Sequence, residues 1–363
     1  MKVAALDYIQ WAKSLPPVEV NLARSGVALC PTSLLGLTAS DLVATLPVKY
    51  GYAPLRAAIA SRYGVRQDQA FAVSGGTSYA NWLACLAALD GGSQGTQVIV
   101  ERPTYEPLLK IPRTLGYRVR RLDRRFEDNY AIDLDRFASM VTTKTRLAIV
   151  TNLHNPTGAR IPPPTLRAMA TMLARVKAYL LVDEVYLECV FRNRAESCVH
   201  AGPNVLTTNS LTKAYGLDGL RAGWILGPPA LIARAQRISD LITNNSVAAG
   251  ERMALAAFRR LREIDRRAHA ILDPNLARMR SFFAGEPRLR AVIPEGGNVV
   301  FPRLPSGIDG DRFVRHLVKQ ASTLVVPGRF FEAPRHIRLS FGCSPALLGR
   351  GLANLSRALD DLS

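Results

Sequence analysis

The sequence predicts an α/β fold, a three-layer sandwich with a mostly parallel central sheet, joined to a smaller α+β domain. Three observations predict it. Short apolar runs of strand length alternate with stretches of helical spacing over much of the chain. The length of 363 residues is too great for one small core and suits a large domain plus a small one. A hydrophobic share of 48% and a charged share of 21%, with no low-complexity tract, are those of an ordinary globular protein rather than a disordered one.

The elements follow in order. Up to about Pro47 a helical pattern at Leu6 to Lys13, a Pro-Pro break and an extended segment at Val18 to Leu22 read as an arm leading into the body. Residues 55–63 read as a helix, 70–73 as a short strand, then a Gly-Gly turn and a helix over about 78–89. Strands at 97–100, 118–122, 146–150, 179–182 and 205–209 alternate with helices at 105–115 and 163–178, the pattern of a parallel sheet covered on both faces. The apolar run 222–226 is a candidate antiparallel strand. A long arginine-rich helical region spans 229–285, and 292–301, 324–326 and 336–341 read as strands of the smaller unit, closed by a C-terminal helix. The division expected is 45–270 for the large domain, and 1–44 with 271–363 for the small one. No fixed-period repeat is present.

Composition excludes several classes. The first fifteen residues carry Asp7 and Lys13 and lack a signal-type apolar stretch, and no later run reaches membrane-spanning length, so a soluble, cytoplasmic protein is expected. The five cysteines are scattered, odd in number and never spaced Cys-x-x-Cys, which suggests reduced thiols and neither a disulfide framework nor a metal site. The net charge of +18 raises the question of nucleic acid, but the arginines are spread along the chain. The densest run, Arg118 to Arg125, has apolar residues at strand-like spacing and reads as a solvated strand end, so no specific nucleic-acid partner is expected.

In an open parallel sheet ligands bind where strands end, and three strand ends carry unusual polar residues. They are Thr151-Asn-Leu-His-Asn-Pro-Thr-Gly158, Val182-Asp-Glu-Val-Tyr186, and Asn209-Ser-Leu-Thr-Lys213 followed by Gly216-Leu-Asp-Gly-Leu-Arg-Ala-Gly-Trp224. A fourth segment, Val73-Ser-Gly-Gly-Thr-Ser-Tyr79, supplies a strand, a Gly turn and a helix N-terminus in succession, which suits an anion; Gly76, Thr77 and Ser78 form the expected cup. Each has a plain reading alone: a turn, a strand end, a loop lysine, a strand–helix connection.

Together and in this order they resemble the class I/II aminotransferases of pyridoxal-phosphate fold type I, over about Gly51 to Gly342. The resemblance implies pyridoxal 5′-phosphate (PLP) as cofactor, held by Lys213 as a Schiff base. It implies that Asp183 holds the proton on the pyridine nitrogen and that Asn155 and Tyr186 hydrogen-bond the ring's 3′-oxygen. Ser210 and Arg221 would join the phosphate contacts, and Tyr105 would lie flat against the ring. Arg338, in His336-Ile-Arg-Leu-Ser-Phe-Gly342, would bind the substrate carboxylate in bidentate fashion, with Asn155 beside it.

The sequence departs from the family in the segment that lends a tyrosine to the partner subunit. Here it is the short Lys49-Tyr-Gly-Tyr-Ala-Pro-Leu-Arg56, so Tyr50 and Tyr52 are both candidates for that role, and a homodimer is implied. The segment Asn21 to Gly26 carries no readable signature of substrate. The resemblance implies transfer of an amino group between an L-amino acid and a 2-oxo acid. Decarboxylation, C–S or β-elimination and oxidation remain open, because one cofactor supports them all. A DNA-binding regulator with an aminotransferase-like domain is the rival from another class; it would need an added N-terminal helix-turn-helix domain, and only about fifty residues precede the Leu-Arg helix.

Overall fold

A computed structural model describes residues 5–42, 50–93, 95–190 and 196–362. The expected boundary at residue 45 lies outside them. The strands are β1 (Val20–Asn21), β2 (Ala70–Ser74), β3 (Gln97–Arg102), β4 (Arg118–Asp123), β5 (Thr145–Thr151), β6 (Tyr179–Asp183), β7 (Val205–Ser210), β8 (Ala222–Leu226), β9 (Val299–Val300), β10 (Thr323–Leu324), β11 (Val326–Pro327) and β12 (Ile337–Ser340). The helices are α1 (Asp7–Lys13), α2 (Ala53–Tyr63), α3 (Gly76–Leu89), α4 (Glu106–Thr114), α5 (Leu134–Met140), α6 (Pro163–Arg175), α7 (Pro229–Asp240), α8 (Ala248–Arg259), α9 (Leu261–Gly285), α10 (Gly310–Ala321) and α11 (Pro345–Leu362).

Strands β2 to β8 form one sheet in the order β2-β8-β7-β6-β5-β3-β4. Only β8 runs against its neighbours, as its apolar run suggested, and the other pairings are parallel. Side chains alternate across a strand, so apolar residues at consecutive positions fill both faces. Val98, Val100, Leu147, Ile149 and Leu181 meet the buried faces of α3, α4 and α7 on one side. Ile99, Ala148, Val150, Leu180 and Val182 meet α5 and α6 on the other. This is the three-layer sandwich expected.

The remaining strands make smaller sheets, with β1 parallel to β10 and β11-β12-β9 antiparallel. Val20, Leu22, Leu317, Leu324, Leu348 and Leu355 share one apolar cluster, so the N-terminal arm packs with the C-terminal elements. The 270/271 division falls inside α9, a continuous helix. Among the described residues no helix is long and apolar enough to cross a membrane.

Several elements differ from the sequence reading. The strand expected over 292–301 shrinks to β9, because Pro294 and the Gly296-Gly297 pair, with Gly297 at φ +96°, interrupt the pairing. The region 229–285 divides into α7, α8 and α9, the first break falling in the polar Thr243-Asn-Asn-Ser246 tract. Helix α10 was not anticipated, although Asp309 caps it by accepting from Asp311 N and Arg312 N, both at 3.0 Å, ahead of buried Phe313, Val314 and Leu317. The run Arg118 to Arg125 is not simply a solvated end. Arg124 is fully buried in an ion pair with Glu101 (2.8 Å), while Arg125 at its end is exposed.

Candidate active site

Parallel register carries β5, β6 and β7 to one edge of the sheet, where Thr151 lies opposite Asp183 and Asp183 opposite Thr208. Asp183 ends β6 and Ser210 ends β7, while the glycine turn after β2 opens toward the same place. One cavity there is lined by Thr77, Ser78, Tyr105, Asn155, Asp183, Tyr186, Ser210, Lys213 and Arg221. Gly76 and Arg338 stand directly behind that lining: a Cβ on Gly76 would lie 3.0 Å from Arg221 Nη2, and Arg338 Nη1 donates to Asn155 Oδ1 at 3.0 Å. Every residue expected from the sequence is therefore in one neighbourhood, apart from the two tyrosines. Tyr50 is an exposed residue whose hydroxyl donates to Asp240 Oδ2 (3.2 Å), and Tyr52 lies against the Arg252 guanidinium; neither lines the cavity.

The glycine turn is built on close backbone approach. Gly76 sits at φ +67°, and Gly75 N and Gly76 N both donate to Arg221 O at 2.7 Å. Gly223, across from the turn, leaves no room for a side chain, since a Cβ there would fall 2.6 Å from the Gly76 carbonyl carbon. Arg221 itself is held at φ 50° and points its guanidinium to Gly75 O (2.8 Å) and Asp218 O (3.2 Å). Among the described residues no carboxylate pairs with it. Thr77 Oγ1 donates to Ser210 Oγ at 2.8 Å, so hydroxyls, amides and one uncompensated cation converge on a single spot, a donor set that fits a phosphate.

At the other end stands a buried acid. Asp183 is 3% exposed; Oδ2 accepts from Asn81 Nδ2 (2.8 Å) and Oδ1 from Val185 N (3.0 Å). Burial raises its carboxyl to about 6, against the pull of those two donors and of Lys213. No cation pairs with it among the described residues, so it fits a ring that carries an N–H⁺. Burial, and then the nearby Arg338, push the Lys213 ammonium down to about 8, so the free amine is far more populated near neutral pH than that of an ordinary lysine. Lys213 Nζ donates to Ser25 Oγ at 3.0 Å, and Ser25 also hydrogen-bonds Tyr186. An anion cup, a nucleophilic amine and a buried acid in one cavity fit PLP.

Sequence reasoning missed four participants. Asn81, on α3, has its amide turned toward Asp183 because Thr208 Oγ1 donates to its Oδ1 at 2.5 Å. Ser25 and Tyr8 reach the cavity from the N-terminal arm. The fourth, Glu101, accepts from Thr151 N and Oγ1 (both 2.6 Å); Thr151 Oγ1 in turn accepts from Asn155 N (2.9 Å) and so fixes the Asn-Pro turn. The polar residue of α3 that faces the sheet is the signal that could have found Asn81: it sits at a position otherwise filled by Ala80, Leu83 and Ala84.

Residues 37–355 match the family of aminotransferases class I and II. The chain belongs to that family. Its cofactor is accordingly PLP, in agreement with the donor set above. The aminotransferase is 31% identical to capreomycidine synthase from Streptomyces vinaceus, over 84% of this chain and 78% of that one. It is 28% identical to the arginine–pyruvate transaminase AruH of Pseudomonas aeruginosa, over 80% and 76%. Among solved structures, the PLP-dependent cyclase OrfR superposes with a TM-score of 0.89 at 30% identity, covering 100% of this chain and 99% of that one. A PLP-dependent aminotransferase from Streptococcus suis gives 0.91 at 24% identity, covering 100% and 99%, a likeness of fold.

Proposed function

We propose that this aminotransferase moves an amino group between an L-amino acid and a 2-oxo acid, with Lys213 as the residue that holds the cofactor and moves the proton. The observation that carries the reading is the juxtaposition of Lys213 and Asp183, a weakened ammonium and a buried unpaired acid, in the cavity with the anion cup. Bound PLP supplies an electron sink for the α-carbon of the amino acid. Gly76, Thr77, Ser78, Ser210 and Arg221 hold its phosphate, and Asp183 keeps the ring nitrogen protonated. Asn155 and Tyr186 orient the ring through its 3′-oxygen, and Tyr105 covers one face. Arg338 binds the substrate carboxylate. With PLP bound, Lys213 Nζ would be the group that takes the α-proton and returns it to the cofactor-bound substrate, a general base whose free-amine form is populated near pH 8.

A second reading has its own support. Two of the relatives bear the names synthase and cyclase, so elimination or ring closure is the alternative fate of the same α-carbon. Purified protein with PLP, a panel of L-amino acids and 2-oxoglutarate separates the two. Glutamate formed in step with loss of one amino acid supports transfer; ammonia, or a dehydrated product without any acceptor, supports the second reading and ends the first.

The reading extends to assembly. We assign residues 45–270 to the cofactor-carrying unit and 1–44 with 271–363 to the smaller one, and place the active sites at the interface of a homodimer in the cytoplasm. Support comes from an exposed apolar patch: Leu241, Ile242 and Val247 are 87%, 51% and 63% exposed, and Val247 lines the same cleft as Tyr50. The five cysteines without disulfides suit a reducing compartment. Sedimentation should give about twice the 39.7 kDa chain mass. A fully active species at the chain mass would remove the dimer and leave the Lys213 assignment standing.

A further inference from the structure

Arg338 is a cation without an anion. It is 1% exposed, and among the described residues no carboxylate lies within ion-pair distance. Its Nη1 donates to Asn155 Oδ1 (3.0 Å), its Nη2 to Tyr8 Oη (2.8 Å) and Ala23 O (3.2 Å), and its Nε has no partner. A buried guanidinium in such a state is stabilised when an anion arrives, and beside Asn155, already expected there, the Tyr8 hydroxyl touches it and can share that anion.

Tyr8 meets four conditions for doing so. It lines the cavity that holds Lys213. Its oxygen accepts from Arg338, which leaves its own proton free to be donated. Its ring is fixed, edge-on to Tyr105 and Phe330 with centroids 6.0 and 5.6 Å away, and the Arg338 guanidinium lies 5.5 Å from its centroid. Its backbone is fixed as well: the Glu106 carboxylate accepts from Asp7 N (3.0 Å) and Tyr8 N (2.8 Å), which ties α1 to the residue directly after Tyr105.

We propose that Tyr8 is a further arm of the substrate-carboxylate clamp, added to Arg338 and Asn155: its phenol donates to the α-carboxylate while Arg338 neutralises it, so that α1 reads the presence of that carboxylate. The inference rests on the assignment of Arg338 as the carboxylate site. It makes the aminotransferase selective for amino acids over the corresponding amines through two buried donors, since an amine would leave both without an acceptor.

The test uses two probes on the PLP-loaded enzyme, with binding read from the change in cofactor absorbance. One is 2-aminoisobutyrate, which has an amino group and a carboxylate but no α-proton and therefore cannot undergo transfer through loss of that proton. The other is isopropylamine, which lacks the carboxylate. Tyr8→Phe should weaken 2-aminoisobutyrate by about tenfold, equivalent to about 1.4 kcal/mol, and leave isopropylamine within twofold. Equal weakening of both probes would mean that Tyr8 only shapes the pocket, and unchanged affinity for both would mean that it does not touch the carboxylate; either result overturns the proposal. Arg338→Gln separates the two levels. If it weakens 2-aminoisobutyrate while Tyr8→Phe does not, the Tyr8 inference alone falls; if it leaves that affinity unchanged, the carboxylate site itself is misplaced.

Discussion

Replacing Lys213 by alanine should lower turnover by about 10³-fold or more, measured as 2-oxo acid formed at saturating amino acid and cofactor. Two roles are lost at once. The amine proposed to hold the cofactor is gone, and so is the base proposed to move the α-proton. Lys213 is the one lysine among the described residues that line the cavity, so no neighbouring amine can take over. Its chemistry also depends on where it sits. Burial and the Arg338 guanidinium push the ammonium down to about 8, so the fraction of nucleophilic amine rises steeply through pH 7 to 9 and then levels. Lys213→Arg should be nearly as inactive as the alanine variant, because a guanidinium stays protonated throughout that range. Turnover within tenfold of the wild type in either variant would remove Lys213 from the mechanism.

The second large effect falls on activity and on the pH dependence of stability. Asp183→Asn should lose on the order of 10²-fold in turnover, since the amide nearly preserves shape but cannot hold the charge that keeps a ring proton in place. The same change should remove a pH-dependent loss of stability from the cofactor-free protein. The Asp183 carboxyl is raised from 3.8 to about 6, so the folded chain binds more protons than the unfolded chain between those values. Stability contributed by the protonated acid is complete below pH 3.8 and is lost as pH rises through about 6. Each pH unit in that window costs about 1.4 kcal/mol, roughly 3 kcal/mol in all. The asparagine variant has no such loss. Urea unfolding of the two cofactor-free proteins should therefore show the wild type losing roughly 2 kcal/mol relative to the variant between pH 4 and pH 7, on top of a constant offset, because the asparagine amide offers one accepting oxygen to two donors, Asn81 Nδ2 and Val185 N. A constant difference across that range would contradict the unpaired state of Asp183.

The sheet was legible because every core strand is covered on both faces. Apolar runs such as Leu147 to Val150 and Leu180 to Val182 have no polar alternation to obscure them, and the strand ends then place Thr151, Asp183 and Ser210 at one edge automatically. The small unit was harder to read because its strands are two to four residues long, β9 and β12 included, too short for a period of two to emerge. The motif residues Asn155, Asp183, Lys213 and Arg221 could be named in advance because they stand at or just after strand ends and turns in an order that resembles the aminotransferases. The partners that orient them could not. Asn81 acts from the buried face of a helix, Ser25 and Tyr8 from an arm 188 and 330 residues away in sequence from the Lys213 and Arg338 they touch, and Glu101 from a neighbouring strand through Thr151. These contacts arise only from tertiary packing, and no local spacing encodes them.

Peptide mapping of the cofactor-loaded protein after borohydride reduction tests the central claim most directly. The account predicts that the mass added by the reduced cofactor is found on the peptide containing Lys213, at about one per chain, and is absent from Lys213→Ala treated in the same way. Label on a peptide carrying any other lysine, or a wild-type chain that binds PLP and gains no label, would contradict it.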